Sequence, residues 1–568
     1  MEHYKNFQLS IFLASRDIEY LAANPPILEK QYTFFRKHFK FDKIYLELYR
    51  SETVDLNAYL SVKKFFEQKG IKLSAAFTAY SQTDENWEHR VAECLCYTDP
   101  AALSRTKSLF ETMATHFDEI LLDDYVFTNC TCQRCRELKG NRAWDDFRLE
   151  LVPQVCQEYM IEPAKKINPN VKITLKYPTW HESYHRLGYN TTQSPFLFDE
   201  IYSGTETRNH LYSNFRNPRY TSYSLMQYLS SISPYRNRGN WFDTYGSVDV
   251  IDMLEQLYLS LFSSPKELTL YGWGTLYHTV YAAAMGFELE RIDNFLGELG
   301  NAIGIPVYLP HNSSGEDHLY DFWGMCGLPF QPTVEFTENK RTILLTSASA
   351  CDPQLIEKIA KHLIDGGNVI LTPGCLEALK GKGIEEFTGM SMAPRAQLSN
   401  QFGIYGSADF ETNYFSCEKP VSMRIVDFKL NEENLLAIQN QPSSPNPLLS
   451  YCNYGQGRLY LLNSPETWSD CYLLPIPILN TLRRELSKDL PIYLEGPGNV
   501  SLFPKDNHSC ILQSYLPYNT TVQLHIKGNY KEIINLESKK RIPSDYQLHG
   551  ESIFTLPLQK STFSAYRW

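Results

Sequence analysis

Through the first three hundred residues, short apolar runs rich in β-branched residues alternate with longer stretches whose apolar positions recur at helical spacing. That alternation is the pattern of repeated βα units feeding a parallel sheet. Eight runs read as strands: Phe7–Ala14, Lys43–Tyr49, Ile71–Ala79, Glu119–Asp124, Val171–Tyr177, Asp199–Ser203, Asn240–Asp243 and Glu267–Tyr271. Eight units predict a closed (β/α)8 barrel over residues 1–300, and an open doubly wound sheet is the alternative. A second α/β region, residues 301–489, shows strand-like Pro306–Leu309, Thr342–Thr346 and Asn368–Leu371, with a helical pattern over Asp352–Ile364 closed by Gly366 and Gly367. After Leu490 the helical period gives way to alternating segments, Cys510–Tyr515, Thr521–Ile526 and Ser552–Leu556. They predict a small antiparallel β-domain over residues 490–568. The stretch Gln439–Pro447, rich in Pro, Ser and Asn, reads as a surface loop.

Composition narrows the function. With 54 basic against 65 acidic residues, a net charge of −11 and no basic cluster, the electrostatic footprint of a nucleic-acid binder is missing. Aromatic residues make up 14 % of the chain, which suits stacking on flat sugar faces. No run approaches the roughly 18 apolar residues of a membrane helix, and the N-terminal stretch lacks an apolar segment followed by a cleavage site. The 13 cysteines are odd in number, and Cys326, Cys351 and Cys375 sit singly in apolar stretches, which points to a reducing, cytoplasmic location. A trimmed signal peptide would allow a periplasmic one instead.

In a (β/α)8 barrel the reactive groups lie at the C-terminal ends of the strands. Here strand four ends in Asp123-Asp124-Tyr125, strand six runs into Glu206 and Arg208, and strand seven ends in Asp243. A carboxylate ending an apolar strand is costly unless it is used or paired, so Asp124, Asp243 and Glu206 are the catalytic candidates. Two carboxyls across a barrel mouth divide the work of glycoside cleavage, one as acid and one as nucleophile or base. Candidate sugar-binding residues near the strand ends are Arg50, Tyr177, Trp180, His181, Tyr202, Arg208, Trp241, Tyr245, Trp273 and His278. Just after strand four, Cys130, Cys132 and Cys135 lie close together, and a thiolate from the preceding loop would complete a four-sulfur zinc site. Cys96 is preferred to Cys94 for that place; unliganded or disulfide-forming cysteines are the alternative. Cys375 follows a strand in Leu371-Thr372-Pro373-Gly374-Cys375, as an amidotransferase nucleophile would, but Leu376 and Glu377 stand where a glycine would relieve the turn. The polar segment His311–Asp317 reads as a turn capping a helix that begins near Asp317.

These motifs resemble the family-42 glycoside hydrolases, the barrel β-galactosidases. In that family an Asn-Glu-Tyr at strand four carries the acid/base and a Cys-x-Cys-x-x-Cys zinc motif follows; Asp123-Asp124-Tyr125 and Cys130, Cys132 and Cys135 match them here. The family's remaining zinc ligand resembles Cys96 in Cys96-Tyr97-Thr98-Asp99-Pro100. The resemblance implies a structural zinc, no organic cofactor, an amidotransferase-related trimerisation domain after the barrel and a carbohydrate substrate. It also implies Asp124 as acid/base and Asp243 as nucleophile, although the family uses Glu at both places. Each Asp is one methylene shorter, which leaves the stereochemical outcome open. Two other readings follow from the same residues: an α-galactosidase-type hydrolase with Asp124 as nucleophile and Glu206 as acid, or a carbohydrate-binding pseudoenzyme.

Overall fold

The computed structural model describes residues 3–81, 94–212, 217–337, 341–405, 412–440 and 445–568. The chain divides into two compact units, one formed by residues 1–217 and 221–297, the other by 218–220 and 298–568.

The first unit is a closed barrel. Its strands are β1 (Gln8–Leu13), β2 (Lys43–Arg50), β3 (Lys72–Phe77), β4 (Glu119–Leu122), β5 (Lys172–Tyr177), β6 (Glu200–Gly204), β7 (Asn237–Asp243) and β8 (Glu267–Tyr271). These eight pair in parallel, with the short Glu52–Thr53 antiparallel to β2, and β1 pairs with both β2 and β8, so the barrel closes and the open-sheet alternative falls. Each expected strand is present within a few residues. β7 starts earlier than expected because Asn237, Arg238 and Gly239 give no apolar signal. Gly239 is forced by close approach, since a Cβ there would lie 1.7 Å from Glu267 O on β8.

Alternation along the strands layers the interior. Near the N-terminal ends Lys43, Glu119, Glu200, Arg238 and Glu267 form an ion cluster. Above it Phe12, Tyr45, Ala76, Leu121, Tyr202 and Trp241 close an apolar layer. The strand-end charges lie above that. Outside the barrel, apolar faces of helices such as Pro25–His38 and Val250–Phe262 cover the sheet.

The second unit holds a nine-stranded mixed sheet and two smaller sheets. Five strands of the mixed sheet are parallel: β9 (Ile305–Tyr308), β10 (Phe330–Thr333), β11 (Thr342–Leu345), β12 (Asn368–Leu371) and, across from β12, Gly457–Leu462. The remaining four, Ser391–Tyr405, Thr412–Asp427, Asn434–Gln439 and Asn446–Tyr454, are antiparallel. This half was not anticipated, because the first two of these strands are largely polar and exposed and carry no clean period of two. The loop expected at Gln439–Pro447 lies between Asn434–Gln439 and Asn446–Tyr454, with residues 441–444 outside the described set. The helix expected over Asp352–Ile364 runs Leu355–Ile364 after a 3-10 turn, and Gly366 follows it at φ 88°. From Ile492 on, sheets of four and five antiparallel strands enclose a core of Leu494, Leu512, Leu524, Phe554 and their neighbours.

Two sequence motifs of this unit have structural roles. The helix after His311–Asp317 begins at Leu319, not Asp317. Glu316 reaches instead to two other loops, accepting the N–H groups of Ser347 and Gly374, each at 2.8 Å, and the Thr372 hydroxyl. The Cys375 thiol is fully buried in the helix Pro373–Ala378, and burial with the nearby Glu316 pushes it well above the usual thiol range. A neutral, inaccessible thiol is no nucleophile.

Candidate active site

At the C-terminal rim, the Asp123 N–H extends the ladder past β4 by donating to Phe77 O at 2.9 Å. Asp123 Oδ1 then accepts the Asp124 N–H at 2.8 Å, which presents two adjacent carboxyls to the mouth. Arg50, the last residue of β2, donates to Asp123 Oδ2 and to Glu47 Oε1, both at 2.9 Å. From β5, Lys176 sends its buried ammonium to Glu206 Oε1 at 2.6 Å, Asp124 Oδ2 at 3.0 Å and Asp123 Oδ1 at 3.3 Å. The same Nζ stands 4.1 Å from the centre of the Trp241 ring. Asp243 is forked by Arg208, Nε to Oδ1 at 3.2 Å and Nη2 to Oδ2 at 2.9 Å, and takes the Tyr245 N–H at 3.0 Å. Arg208 itself has left-handed backbone, φ 57°, which concentrates at functional sites.

Five carboxyls here face three cations, so they cannot all be ionised cheaply. Burial opposes the charge on Asp123, yet Lys176 and Arg50 outweigh it and hold that carboxyl below the ordinary range. At Asp124 burial prevails over Lys176, with the like charge of Asp123 adding, and the carboxyl is raised. At Glu206 burial, helped by Asp124 and Asp243, overcomes Lys176 and pushes the group up to about 7. Exposure separates them as well. The Asp124 side chain is 24 % exposed and Asp243 10 %, whereas Glu206 is at 3 % and its Oε2 makes no hydrogen bond.

Of the expected residues, the fold brings Arg50, Asp124, Glu206, Arg208, Trp241, Asp243 and Tyr245 to this rim. Trp241 is 1 % exposed and serves as the floor under Lys176. Tyr245 is exposed, with the Arg208 guanidinium 5.0 Å over its ring. Trp180 is half-buried on the loop after β5, edge-on to Phe127 and Tyr184, and His181 is buried 5.8 Å from the Tyr228 ring. Four residues lie elsewhere. Tyr177 alternates with Lys176 and packs outward on Tyr184 and Tyr189. Tyr202 fills the apolar layer and bonds Thr269. Trp273 is fully buried on Phe35 and Phe66, its indole N–H on Gln31, and His278 packs against Phe34 and Tyr277. An aromatic near a strand end is placed by which side of the pleat it occupies, which spacing alone did not resolve. Lys176 and Glu47 were missed. Their signal was present: each is a charge at an inward position of a largely buried strand, the argument applied above only to the carboxylates at strand ends.

Beside the rim, Cys96, Cys130, Cys132 and Cys135 are buried with all four sulfurs within 4.8 Å of one another. Cys96 Sγ is 3.8 Å from both Cys132 Sγ and Cys135 Sγ. Four sulfurs about 2.3 Å from one ion in a tetrahedron stand about 3.8 Å apart, so the set fits a tetrahedral soft metal. Cys94 is turned away to the Asn129 side-chain oxygen at 3.4 Å.

A closed (β/α)8 barrel with adjoining carboxyls at its C-terminal rim defines an enzyme architecture suited to acid–base and nucleophilic carboxylate chemistry. Within that architecture the chain belongs to the probable glycosyl hydrolase family, whose catalytic-domain model matches residues 1–291 and whose C-terminal-domain model matches residues 491–567. Residues 300–467 match the second domain of the uncharacterized protein SSO3021. That protein, from Saccharolobus solfataricus, is 28 % identical over 389 residues, 61 % of this chain and 63 % of the relative's length. Among solved structures the fold is similar to a β-galactosidase from Bacillus circulans sp. alkalophilus, at 12 % identity and TM-score 0.66, over 100 % of this chain and 99 % of that one. It is equally similar to α-L-fucosidase isoenzyme 2 from Paenibacillus thiaminolyticus, at 10 % identity and TM-score 0.66, with the same coverage. Among the described residues no helix is long and apolar enough to cross a membrane.

Proposed function

We propose that the chain hydrolyses a terminal glycosidic bond, with Asp124 as general acid/base and Asp243 as nucleophile. The observation that carries this reading is the contrast between the surroundings of these two carboxyls. Burial raises the Asp124 carboxyl, the direction a proton donor needs, whereas Asp243 is held in place by the two-point fork of Arg208. In the first step Asp243 attacks the anomeric carbon while Asp124 protonates the departing oxygen. In the second, Asp124 takes a proton from the water that releases the sugar. Arg50, itself anchored on Glu47, holds Asp123, and through it the turn that aims Asp124. The zinc reading of the four cysteines belongs here too: bound there, the ion would brace the loop that follows Asp124, and four thiolates fill a tetrahedral zinc.

The similar β-galactosidase and α-L-fucosidase folds guide the first assay, a panel of 4-nitrophenyl β-D-galactoside, α-L-fucoside and α-D-galactoside. Turnover lost in Asp124→Asn and in Asp243→Asn supports the reading, with azide restoring an inverted glycosyl azide only in an Asp243→Ala or Asp243→Gly variant. An inverted glycosyl azide from an Asp124→Ala or Asp124→Gly variant instead would establish the α-galactosidase-type pairing with Glu206, whereas an azide of retained configuration there is what the acid/base role predicts. Sugar binding without turnover in the wild-type chain would establish the pseudoenzyme. The division 1–300, 301–489 and 490–568 and a trimer built on the middle region are part of the same proposal. Separate apolar cores around Ile343 and around Leu494 support the division, and light scattering of the full chain tests the trimer.

A further inference from the structure

Lys176 enters none of the steps above, yet it is the most heavily engaged cation of the rim. Its three N–H groups are directed at three carboxyls, Glu206, Asp124 and Asp123, and its fourth side is closed by the Trp241 ring. No donor is left for a sugar hydroxyl. The backbone makes room for this arrangement: a Cβ on Gly204 would lie 2.6 Å from Glu206 Oε2 and 3.1 Å from Lys176 Cε. A side chain of any size at 204 would push the two apart.

We propose that Lys176 and Glu206 form a buried tuning pair whose shared hydrogen bond sets the proton affinity of Asp124, Lys176 acting as a positioning residue and neither partner touching the substrate. The inference rests on the assignment of Asp124 as acid/base. The bond to Glu206, at 2.6 Å, is shorter than that to Asp124, at 3.0 Å, so Glu206 competes with Asp124 for the same ammonium. Glu206 thereby prevents Lys176 from stabilising the Asp124 carboxylate fully, and the charge of Asp124 in turn raises Glu206. The two carboxyls then titrate as a pair around one cation. The other ionisable groups facing the trio are Asp123, Asp243, Arg50, Arg208, Tyr125, Tyr184 and Tyr189. Arg50 is hydrogen-bonded to Glu47 and Asp123, and Arg208 is forked on Asp243 and acts on Asp124 and Glu206 through its charge, whereas Lys176 is hydrogen-bonded to both of them.

The test is a pair of neutral variants that must move the pH–rate profile in opposite directions. Glu206→Gln frees the ammonium for Asp124, so the alkaline limb of kcat/KM moves down by about one pH unit and kcat falls less than tenfold. Lys176→Met removes the ammonium that opposes burial and the Asp123 charge at Asp124, so the alkaline limb moves up by at least one pH unit; kcat falls about a hundredfold while KM changes less than threefold. Limbs that stay in place in both variants overturn the proposal, as does a Glu206→Gln enzyme without activity, which would make Glu206 the acid. Should Lys176→Met fail to fold, selective 15N-lysine labelling of the wild-type full chain supplies the readout. One protected Nζ resonance is expected to step in shift near the pH of the alkaline limb and to lose that step in Glu206→Gln. No such resonance overturns the tuning pair. An inactive wild-type enzyme that shows the step retains the pair and refutes only the hydrolase reading.

Discussion

The barrel holds two ion clusters, one at each end of its interior, separated by the apolar layer of Phe12, Tyr45, Leu121 and Trp241. At the N-terminal end Glu267 meets Arg238 at 2.6 Å, Tyr45 at 2.8 Å and Ser10 at 2.8 Å, with Lys43 at 3.6 Å. Burial works against its charge, yet Lys43 and Arg238 hold its carboxyl below the ordinary range. At the C-terminal end the same residue types leave Glu206 at about 7, one oxygen without a hydrogen bond. The difference is one of matching. Glu267 meets two cations and two hydroxyls and stays ionised, whereas Glu206 shares one ammonium with Asp124 and Asp123 and keeps a proton available near neutral pH.

The sharpest break between the two ends is expected from substitution. Asp124→Asn and Asp243→Asn should each lower kcat/KM by about 10³-fold or more while the melting temperature holds or rises, measured by steady-state kinetics and calorimetry. Glu267→Ala should do the converse, costing about 3–5 kcal/mol in denaturant unfolding by leaving Lys43 and Arg238 unpaired, with kcat of the folded fraction unchanged. Stability against pH should then separate them by sign. The raised Glu206 contributes stability that is present below its ordinary 4.5 and is lost as the pH rises through about 7. Glu206→Gln should therefore gain on the wild type, by at most about 3 kcal/mol, between those values. The depressed Glu267 contributes above the ordinary range and loses that contribution as the pH falls through its lowered value, so Glu267→Gln should gain on the wild type only toward acid. A smaller effect is expected at the brace beside the upper cluster. Metal analysis should find one zinc per chain, and Cys132→Ser should release it and lower the melting temperature by several degrees. Least of all, Tyr245→Ala should cost under tenfold in kcat/KM, since its exposed ring only supports Arg208.

Much of this was legible in the chain because the signals are local. Eight buried strands read as apolar runs, and carboxylates ending them stand out against that background. The cysteine cluster also showed itself through spacing, with Cys96 and not Cys94 turned toward it. The polar hairpin strands Ser391–Tyr405 and Thr412–Asp427 did not, because strands with so much exposed surface leave no hydrophobic period to find.

By itself, then, the sequence determined the barrel, the small β-domain and the rim on which chemistry is to be sought, since burial and periodicity are properties of short segments. Only the tertiary structure decided which charges meet. Lys176 lies 30 residues before Glu206 and 52 after Asp124, and nothing in either interval encodes a shared hydrogen bond. Parallel pairing brings β4, β5 and β6 side by side, and burial at their common end turns three ordinary side chains into one coupled group.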